Sequence, residues 1–212
     1  MKGLFVKDIR MMMGQKKFFC LVFLMAVVLN FSSDSVYVVY YLTFVCSFFA
    51  MNSISYDEAD NGYPFLFTLP IDRSIYVREK YLFGIALNVS SWLAGMCVAL
   101  IFAVVKNNIP AFTENILAMA LMLPVMLIFN SVVFPLIFKF GSEKGKIVML
   151  CVFGIAFFIG YMLSRLMNLE KLIHTANGYP ASVLALSLVA VTVLILIVSC
   201  AVSVMIMKKK EL

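Results

Sequence analysis

The sequence predicts an all-α integral membrane protein with six transmembrane helices and both termini on the cytoplasmic side. Of its 212 residues, 64% are hydrophobic and 13% are charged, whereas soluble domains carry about 25% charged residues. Several uncharged apolar runs reach about 18 residues, the length that indicates a membrane-spanning helix. The lysines and arginines flank these runs instead of interrupting them. We expect a single transmembrane domain over 1–212.

The first 17 residues predict an amphipathic helix that lies in the membrane interface. Leu4, Phe5 and Ile9 fall near one face at helical spacing, while Lys7 and Arg10 lie mainly elsewhere. A helix with this pattern buries its apolar face at the headgroup boundary. The segment shows no small-residue cleavage pattern, so we expect it to be retained and not removed as a signal peptide.

Six apolar runs follow, and the polar connections between them set the predicted boundaries. A very short link joins the first two spans, which should form a tight antiparallel hairpin. A turn follows the third span, and the polar link GSEKGK follows the fourth. The connection at 165–180 predicts an extracellular amphipathic helix. The predicted spans are 18–33, 35–56, 82–105, 116–138, 147–164 and 181–207.

The distribution of basic residues predicts the orientation, because lysine and arginine accumulate on the cytoplasmic side. The N-terminal segment carries five of them, and the connections after spans two and four and the C-terminal tail carry three each. The remaining connections carry three in total. This asymmetry places both termini and the connection at 57–73 in the cytoplasm.

Several function classes are disfavoured by what the sequence lacks. It contains no GxSxG, HExxH or CxxC motif. GSEKGK has one residue too few between its glycines for a phosphate loop, and Ile147 stands where Ser or Thr must bind Mg²⁺. No apolar run holds a charge in its middle, which argues against an ion-coupled transporter and against a membrane-embedded enzyme.

Composition also disfavours a metal centre and a nucleic-acid partner. The five cysteines are widely spaced within apolar runs and are interpreted as small packing residues. His174 has no second ligand at metal-binding spacing. The net charge of +6 comes from short clusters beside apolar runs, which favour anionic lipid headgroups over nucleic acid.

The connection at 57–73 combines acidic residues, a glycine and two prolines with an apolar tip. Gly62 should end the preceding helix, Pro64 can start a short helix, and Pro70 cannot continue it. Asp72 is the predicted N-cap of the next helix. The apolar tip should either enter the headgroup region or fill a groove on a soluble partner. It consists of Phe65, Leu66, Phe67 and Leu69.

Polar and small residues within the spans are candidates for the substrate path or for a seam between subunits. Span three carries small residues at four-residue spacing, which allows two helix backbones to approach closely. The alternative is ordinary packing within one bundle, with the asparagines forming interhelical hydrogen bonds. The candidates are Asn52, Asn88, Ser91, Trp92, Gly95 and Asn130.

The segment 56–81 carries a specific pattern in addition to the six-span layout. Its residues are Glu58, Gly62, Leu66, the run Thr68-Leu69-Pro70-Ile71, Arg73 and Lys80-Tyr81. With this pattern, the chain resembles the permease subunits of type-2 ABC exporters. Compact permeases of this kind are similar to exporters of amphipathic peptides such as phenol-soluble modulins and bacteriocins.

The resemblance implies a multi-pass protein of the bacterial plasma membrane that pairs with a second permease chain, identical or paralogous. The pair would form the path of an amphipathic or lipophilic substrate. A separate cytoplasmic ATPase, holding ATP and Mg²⁺, would dock on the loop helix, called the coupling helix. This chain would then need no catalytic residue, cofactor or metal. The expected coupling residues are Glu58, Gly62, Phe65, Leu66, Phe67, Leu69, Pro70 and Arg73.

One other function stays open at this stage. The chain could be a stand-alone channel or a membrane assembly scaffold that works without an ATPase. Function of the purified protein in the absence of ATP would distinguish this alternative from the exporter.

Overall fold

The computed structural model of the chain describes residues 2–32, 36–59, 62–68, 71–166 and 181–210. Within these ranges the regular structure is helical and no strand occurs, so the predicted all-α fold class is confirmed. The helices are α1 (Lys2–Gly14), α2 (Lys16–Ser32), α3 (Val36–Glu58), α4 (Gly62–Leu66), α5 (Arg73–Val105), α6 (Ile109–Phe140), α7 (Ser142–Leu166) and α8 (Ala181–Lys209).

Among the residues described, four helices are long and apolar enough to cross a membrane: α3, α5, α6 and the part of α8 from Leu186 onward. Helices α1 and α2 meet at an angle of 68° and count as a fifth candidate when taken together. Helix α2 has 17 residues, which is at the lower limit of about 17 for a span. The layout with six spans stays a prediction.

The helices extend further into polar sequence than the predicted spans do. Helix α5 begins at Arg73, whereas span three was expected from 82. Asp72 is its N-cap as predicted, but the carboxylate makes no capping hydrogen bond. GSEKGK is not an open link, because α7 already begins at Ser142. Hydropathy marks where lipid contact is expected, and a helix with satisfied backbone hydrogen bonds can continue past that point.

Helix α5 packs closely against α3 through its small residues. A Cβ atom placed on Gly95 would lie 3.0 Å from the Cα atom of Val39, so glycine permits this approach. On the same helix, a Cβ atom on Gly84 would lie 3.0 Å from the ring of Phe134 on α6. Within this chain the small-residue stripe therefore serves packing between neighbouring helices.

Helix α1 turns its apolar face toward the other helices. Leu4 is buried, and the ring of Phe5 lies 5.9 Å from that of Phe83 on α5 in an edge-to-face arrangement. A helix is present over Lys2–Gly14, and its apolar face, which was predicted to enter lipid, packs on protein. Its position in the membrane interface stays a prediction. The sequence showed an apolar face and could not show which apolar surface would cover it.

The predicted extracellular helix at 165–180 falls almost entirely on residues that lie outside the described ones. Helix α7, which leads toward it, presents large apolar side chains to its surroundings. Leu150 is 74% exposed and Phe157 is 80% exposed.

Candidate functional site

Four polar segments meet around α4 at one end of the helix bundle, which we call the α4 end. Asp57 at the end of α3 pairs with Lys7 of α1. Glu58 contacts the first residue of α7, and Arg73 contacts the last turn of α8. These are the basic segments that the sequence assigned to one common side. Their proximity is confirmed, while their cytoplasmic location stays a prediction.

Helix α4 begins at Gly62, a position that requires glycine. A Cβ atom on Gly62 would lie 2.4 Å from the carbonyl oxygen of Asp57, far inside contact distance. The short helix was predicted to begin at Pro64 and instead begins at Gly62. At its far end the Thr68 hydroxyl donates to the carbonyl oxygen of Phe65 at 2.7 Å. Helix α4 is therefore a short element with a defined start and finish.

In the described part of the apolar tip, one side chain is exposed and two pack on the helix bundle. Phe65 is 74% exposed. Leu66 and Phe67 are half-buried and pack on the main core. The Phe67 ring lies 5.9 Å from that of Tyr76 on α5. Two further predicted coupling residues, Leu69 and Pro70, lie outside the described residues.

Tyr63, the second residue of α4, attaches the short helix to the bundle. Its side chain is buried, and its ring lies 5.9 Å from that of Tyr76 in an edge-to-face arrangement. Burial raises the pKa of Tyr63 above its usual range. The Lys210 ammonium lies 4.9 Å from the centre of the same ring. An aromatic and cationic packing layer thus supports α4 from below.

A buried charge cluster joins α1, α3 and α5 next to α4. Lys80 Nζ donates to Asp8 Oδ2 at 2.5 Å and to Ser53 Oγ at 2.7 Å. The same ammonium lies 2.7 Å from Asp57 Oδ2, which also accepts a hydrogen bond from the Tyr76 hydroxyl at 3.1 Å. Because Lys80 has several oxygen partners, the cost of burying its charge is largely offset.

Glu58, the other acid at the end of α3, holds the ends of two more helices. Its Oε2 atom accepts a hydrogen bond from the backbone N–H of Ser142 at 2.5 Å. Its Oε1 atom lies 3.5 Å from Lys210 Nζ. A carboxylate at the first turn of α7 satisfies a free N–H and faces the positive end of the helix dipole. Glu58 is therefore turned toward the chain's own helices.

The residue before that contact is also glycine for a conformational reason. Gly141 has φ +81°, in the region that side-chain-bearing residues rarely adopt. A Cβ atom there would lie 2.7 Å from Glu58 Oε1. Gly141 is thus the single residue between α6 and α7, and its lack of a side chain leaves room for the Glu58 carboxylate to reach the Ser142 N–H.

Arg73 fixes the C-terminal end of α8 to the start of α5. Its Nη1 atom donates to the carbonyl oxygen of Lys210 at 2.7 Å, and to those of Met207 and Lys208 at 3.3 Å each. The last carbonyl groups of a helix lack intrahelical partners and favour a cation. The guanidinium also lies 5.7 Å from the centre of the Phe67 ring. Arg73 therefore links the tail to α4 as well.

Most of the candidates for a substrate path or seam form hydrogen bonds within this chain. Ser47 donates to Asn130 Oδ1 at 2.9 Å, which joins α3 to α6. Trp92 donates to the carbonyl oxygen of Met119 at 2.8 Å. Asn88 donates to a carbonyl oxygen of its own helix, and Ser91 does the same. Interhelical bonding thus accounts for Asn130 and Trp92, and a role in transport stays a prediction.

Asn52 lines a groove of about 370 Å³ beside α3. The groove lies between α3 and the bend that joins α1 to α2. Its walls are mainly aromatic, and a hydrogen bond of 3.0 Å from Gln15 Nε2 to the Tyr56 hydroxyl crosses it at one end. The other lining residues are Phe18, Phe44, Val45, Phe48 and Phe49. An apolar surface with an uncharged polar end suits an amphipathic molecule.

Sequence reasoning missed three residues of this region. Asp8 lies one helical turn after Leu4, on the apolar face of α1, and an acid in that position requires a buried cation. The position of Asp8 was therefore a usable signal. Its partner Lys80 and the role of Gly141 could not be identified, because both depend on helices that meet only in three dimensions.

A comparison with protein families adds one finding to this geometry. The family model described as ABC-2 family transporter protein matches residues 3–208, from α1 to the end of α8. No significant match was found among curated proteins or among solved structures.

Proposed function

We propose that this chain, which belongs to the ABC-2 family of transporter proteins, is the permease of an ATP-driven exporter whose separate ATPase docks on α4. Membership of the family makes the chain an ABC-2 type permease. It also implies a lipid bilayer and an ABC ATPase as partners. The docking position, the substrate and the pairing with a second permease chain are parts of the proposal.

The observation that carries the docking proposal is the exposed Phe65 on a firmly held α4. Interfaces gain most of their affinity from a few aromatic or arginine anchors that are rigid before binding. Phe65 is presented, while Tyr63 and Phe67 hold the helix from below. A partner that pushed on Phe65 would push on α4 as a body and, through Gly62, on the end of α3.

The remaining parts of the proposal follow from the sequence and the family. Six spans with both termini inside would place the α4 end in the cytoplasm, where ATP and Mg²⁺ are available to the ATPase. The cell would be bacterial and the membrane its plasma membrane. The uncharged aromatic groove beside Asn52 favours an amphipathic or lipophilic substrate, including a peptide.

The structure sharpens the choice of residue for a docking test. Leu66 is half-buried, so an acid there would disturb folding as well as docking. Phe65→Asp places the charge on an exposed side chain. Phe140→Asp is a matched control, because Phe140 is also exposed, at 40%, and is the last residue of α6, near the α4 end.

The experiment measures how much ATPase subunit co-purifies with each permease variant. We expect Phe65→Asp to lose most of the ATPase and Phe140→Asp to retain it, with both variants unfolding at similar temperatures. Undiminished association of Phe65→Asp would contradict docking on α4. A wild-type permease that binds no ATPase and conducts without ATP would favour the stand-alone channel.

A further inference from the structure

We propose that the hydrogen bond from the Ser142 backbone N–H to the Glu58 carboxylate is the joint that transmits displacement of α4 to α7, with Glu58 and Gly141 as its positioning residues. This inference rests on the proposed docking of an ATPase on α4. It assigns Glu58 a role inside the permease, in place of contact with the ATPase.

The joint lies next to the element that would be pushed. Glu58 is the last residue of α3, and α4 begins at Gly62. A Cβ atom on Gly62 would lie 2.4 Å from the carbonyl oxygen of Asp57, so the start of α4 packs directly on the last turn of α3 and should move with it. The Glu58 carboxylate would then carry that movement to Ser142 across 2.5 Å.

The chemistry of this contact suits the transmission of movement. A charged acceptor and a backbone N–H form a directional bond that resists both lengthening and sideways displacement. Its donor is part of the helix backbone, so only rotation of the Glu58 side chain could absorb the movement. The second contact of that carboxylate, with Lys210 Nζ at 3.5 Å, restrains this rotation. Gly141, at φ +81°, leaves the carboxylate room to reach that donor.

Helix α7 is suited to respond because much of the described part of its surface is not covered by the other described residues. Ile147 is 67% exposed and Leu150 is 74% exposed, only a few residues beyond the joint. On its other side, Gly145 lies close to Ile137 of α6, where a Cβ atom would be 3.1 Å from the Ile137 Cα atom. Apolar contacts of this kind permit sliding, whereas the bond to Glu58 fixes a position.

The two acids at the end of α3, Asp57 and Glu58, contact different helices. Asp57 holds Lys7 of α1 and Lys80 of α5. Glu58 holds α7 and, at 3.5 Å, Lys210 of the tail. The tail of α8 is also bound to α5 through Arg73, so α8 has a second attachment to the α4 end. Loss of the Glu58 joint should therefore affect α7 more than α8.

The backbone N–H can be removed without removing the helix. Proline is favoured at the first position of a helix, where its missing N–H is not needed for intrahelical bonding. Ser142 occupies that position in α7. Ser142→Pro thus deletes the donor of the joint, while the matched control Ser142→Ala keeps the donor and deletes only the hydroxyl.

The readout is a pair of spin-label distances in the permease–ATPase complex after replacement of the five native cysteines. Ile147→Cys with Leu82→Cys reports α7 against α5, and Met205→Cys with Leu82→Cys reports α8 against α5. All three native side chains are more than half exposed. Distances are compared without nucleotide and with ATP plus vanadate, so no transport substrate is needed.

We expect ATP to shift the α7 distance in Ser142→Ala and to leave it unshifted in Ser142→Pro, with any α8 shift equal in both. A full α7 shift in Ser142→Pro would overturn the inference, as would an α7 helix that never responds to ATP. Glu58→Gln, which keeps an acceptor oxygen, should preserve the shift, and Glu58→Ala should lose it. If Ser142→Pro fails to fold, the comparison of Glu58→Gln with Glu58→Ala tests whether the joint transmits movement to α7.

The docking test separates failure of this inference from failure of the proposed function. If the unlabelled permease binds no ATPase, the proposed function fails before any distance is measured. If the ATPase binds through Phe65 and α7 moves without the joint, the proposed function stands and only this inference is wrong.

Discussion

Lys80 on α5 and Asp8 on α1 form an ion pair that is almost completely shielded from solvent, with Nζ and Oδ2 2.5 Å apart. The same ammonium lies 2.7 Å from Asp57 Oδ2 on α3. One lysine thus joins the N-terminal helix, the helix that precedes α4 and the helix that follows it. These three helices should respond as a unit to any movement of α4.

Lys80→Met should destabilise the protein strongly, because it removes the buried cation between Asp8 and Asp57 and leaves them only the more exposed Lys7. Breaking a buried pair on one side costs about 3–5 kcal/mol. The measurement is chemical unfolding of the purified protein in detergent. Lys146→Met is the control, since Lys146 is exposed on the first turns of α7 and its replacement should change stability little. A Lys80→Met protein as stable as wild type would mean that the cluster is not formed in solution.

Arg73→Lys should loosen the end of α8. All three bonds come from Arg73 Nη1. A lysine ammonium has a different shape and position, and it also loses the contact of the planar guanidinium with the Phe67 ring. The loss should cost about 1–2 kcal/mol. Hydrogen exchange of the peptide that contains Met207 should become faster. Arg78→Lys, an exposed substitution on the next turn of α5, should leave that exchange unchanged. Equal protection in both variants would show that Arg73 does not hold the tail.

Gly95→Leu should weaken packing between α3 and α5, because even a Cβ atom would meet the Val39 backbone at 3.0 Å. Overpacking of this kind costs about 1–3 kcal/mol. Gly154→Leu on α7 is the matched control, since no atom of the described residues lies within 4 Å of a Cβ atom there. Thermal unfolding in detergent compares the two. A smaller loss for Gly95→Leu than for Gly154→Leu would contradict the close approach of α3 and α5.

Gly62→Ala should displace α4, because the new Cβ atom would lie 2.4 Å from the carbonyl oxygen of Asp57. If the ATPase docks on α4, its association should weaken although Phe65 is intact. Gly14→Ala introduces the same methyl group at a position with nothing within 4 Å and should leave association unchanged. Co-purification of the ATPase measures both. Equal binding by the two variants would mean that α4 need not be fixed for docking.

Much of the fold could be predicted from hydropathy and from helix-breaking residues. The apolar runs lie on α2, α3 and α5 to α8, and the short helix in the 57–73 connection exists. Boundaries were less accurate at polar ends, as at Arg73 and Ser142, because hydropathy reports contact with lipid and the backbone hydrogen bonds of a helix continue beyond it. The amphipathic pattern of α1 identified its apolar face but not the surface that covers it.

The candidate site was predicted in part. Gly62 was expected to end the preceding helix and is instead the first residue of α4, while Phe65 is exposed within the predicted apolar tip. Glu58 and Arg73 were chosen for contact with a partner, yet both bind helix ends of their own chain. A charged residue next to a predicted contact surface can serve either purpose, and sequence position does not distinguish them.

By itself, the sequence determined that the chain is a helical membrane protein with one short helix among basic segments. Charge content and the spacing of glycine and proline act locally, so they can be read along the chain. Only the tertiary structure decided that Asp57 contacts α1 and α5 while Glu58 contacts α7 and the tail that follows α8. Those pairings join residues far apart in sequence, and they form because buried charges and free helix ends must find partners wherever the packed helices bring them.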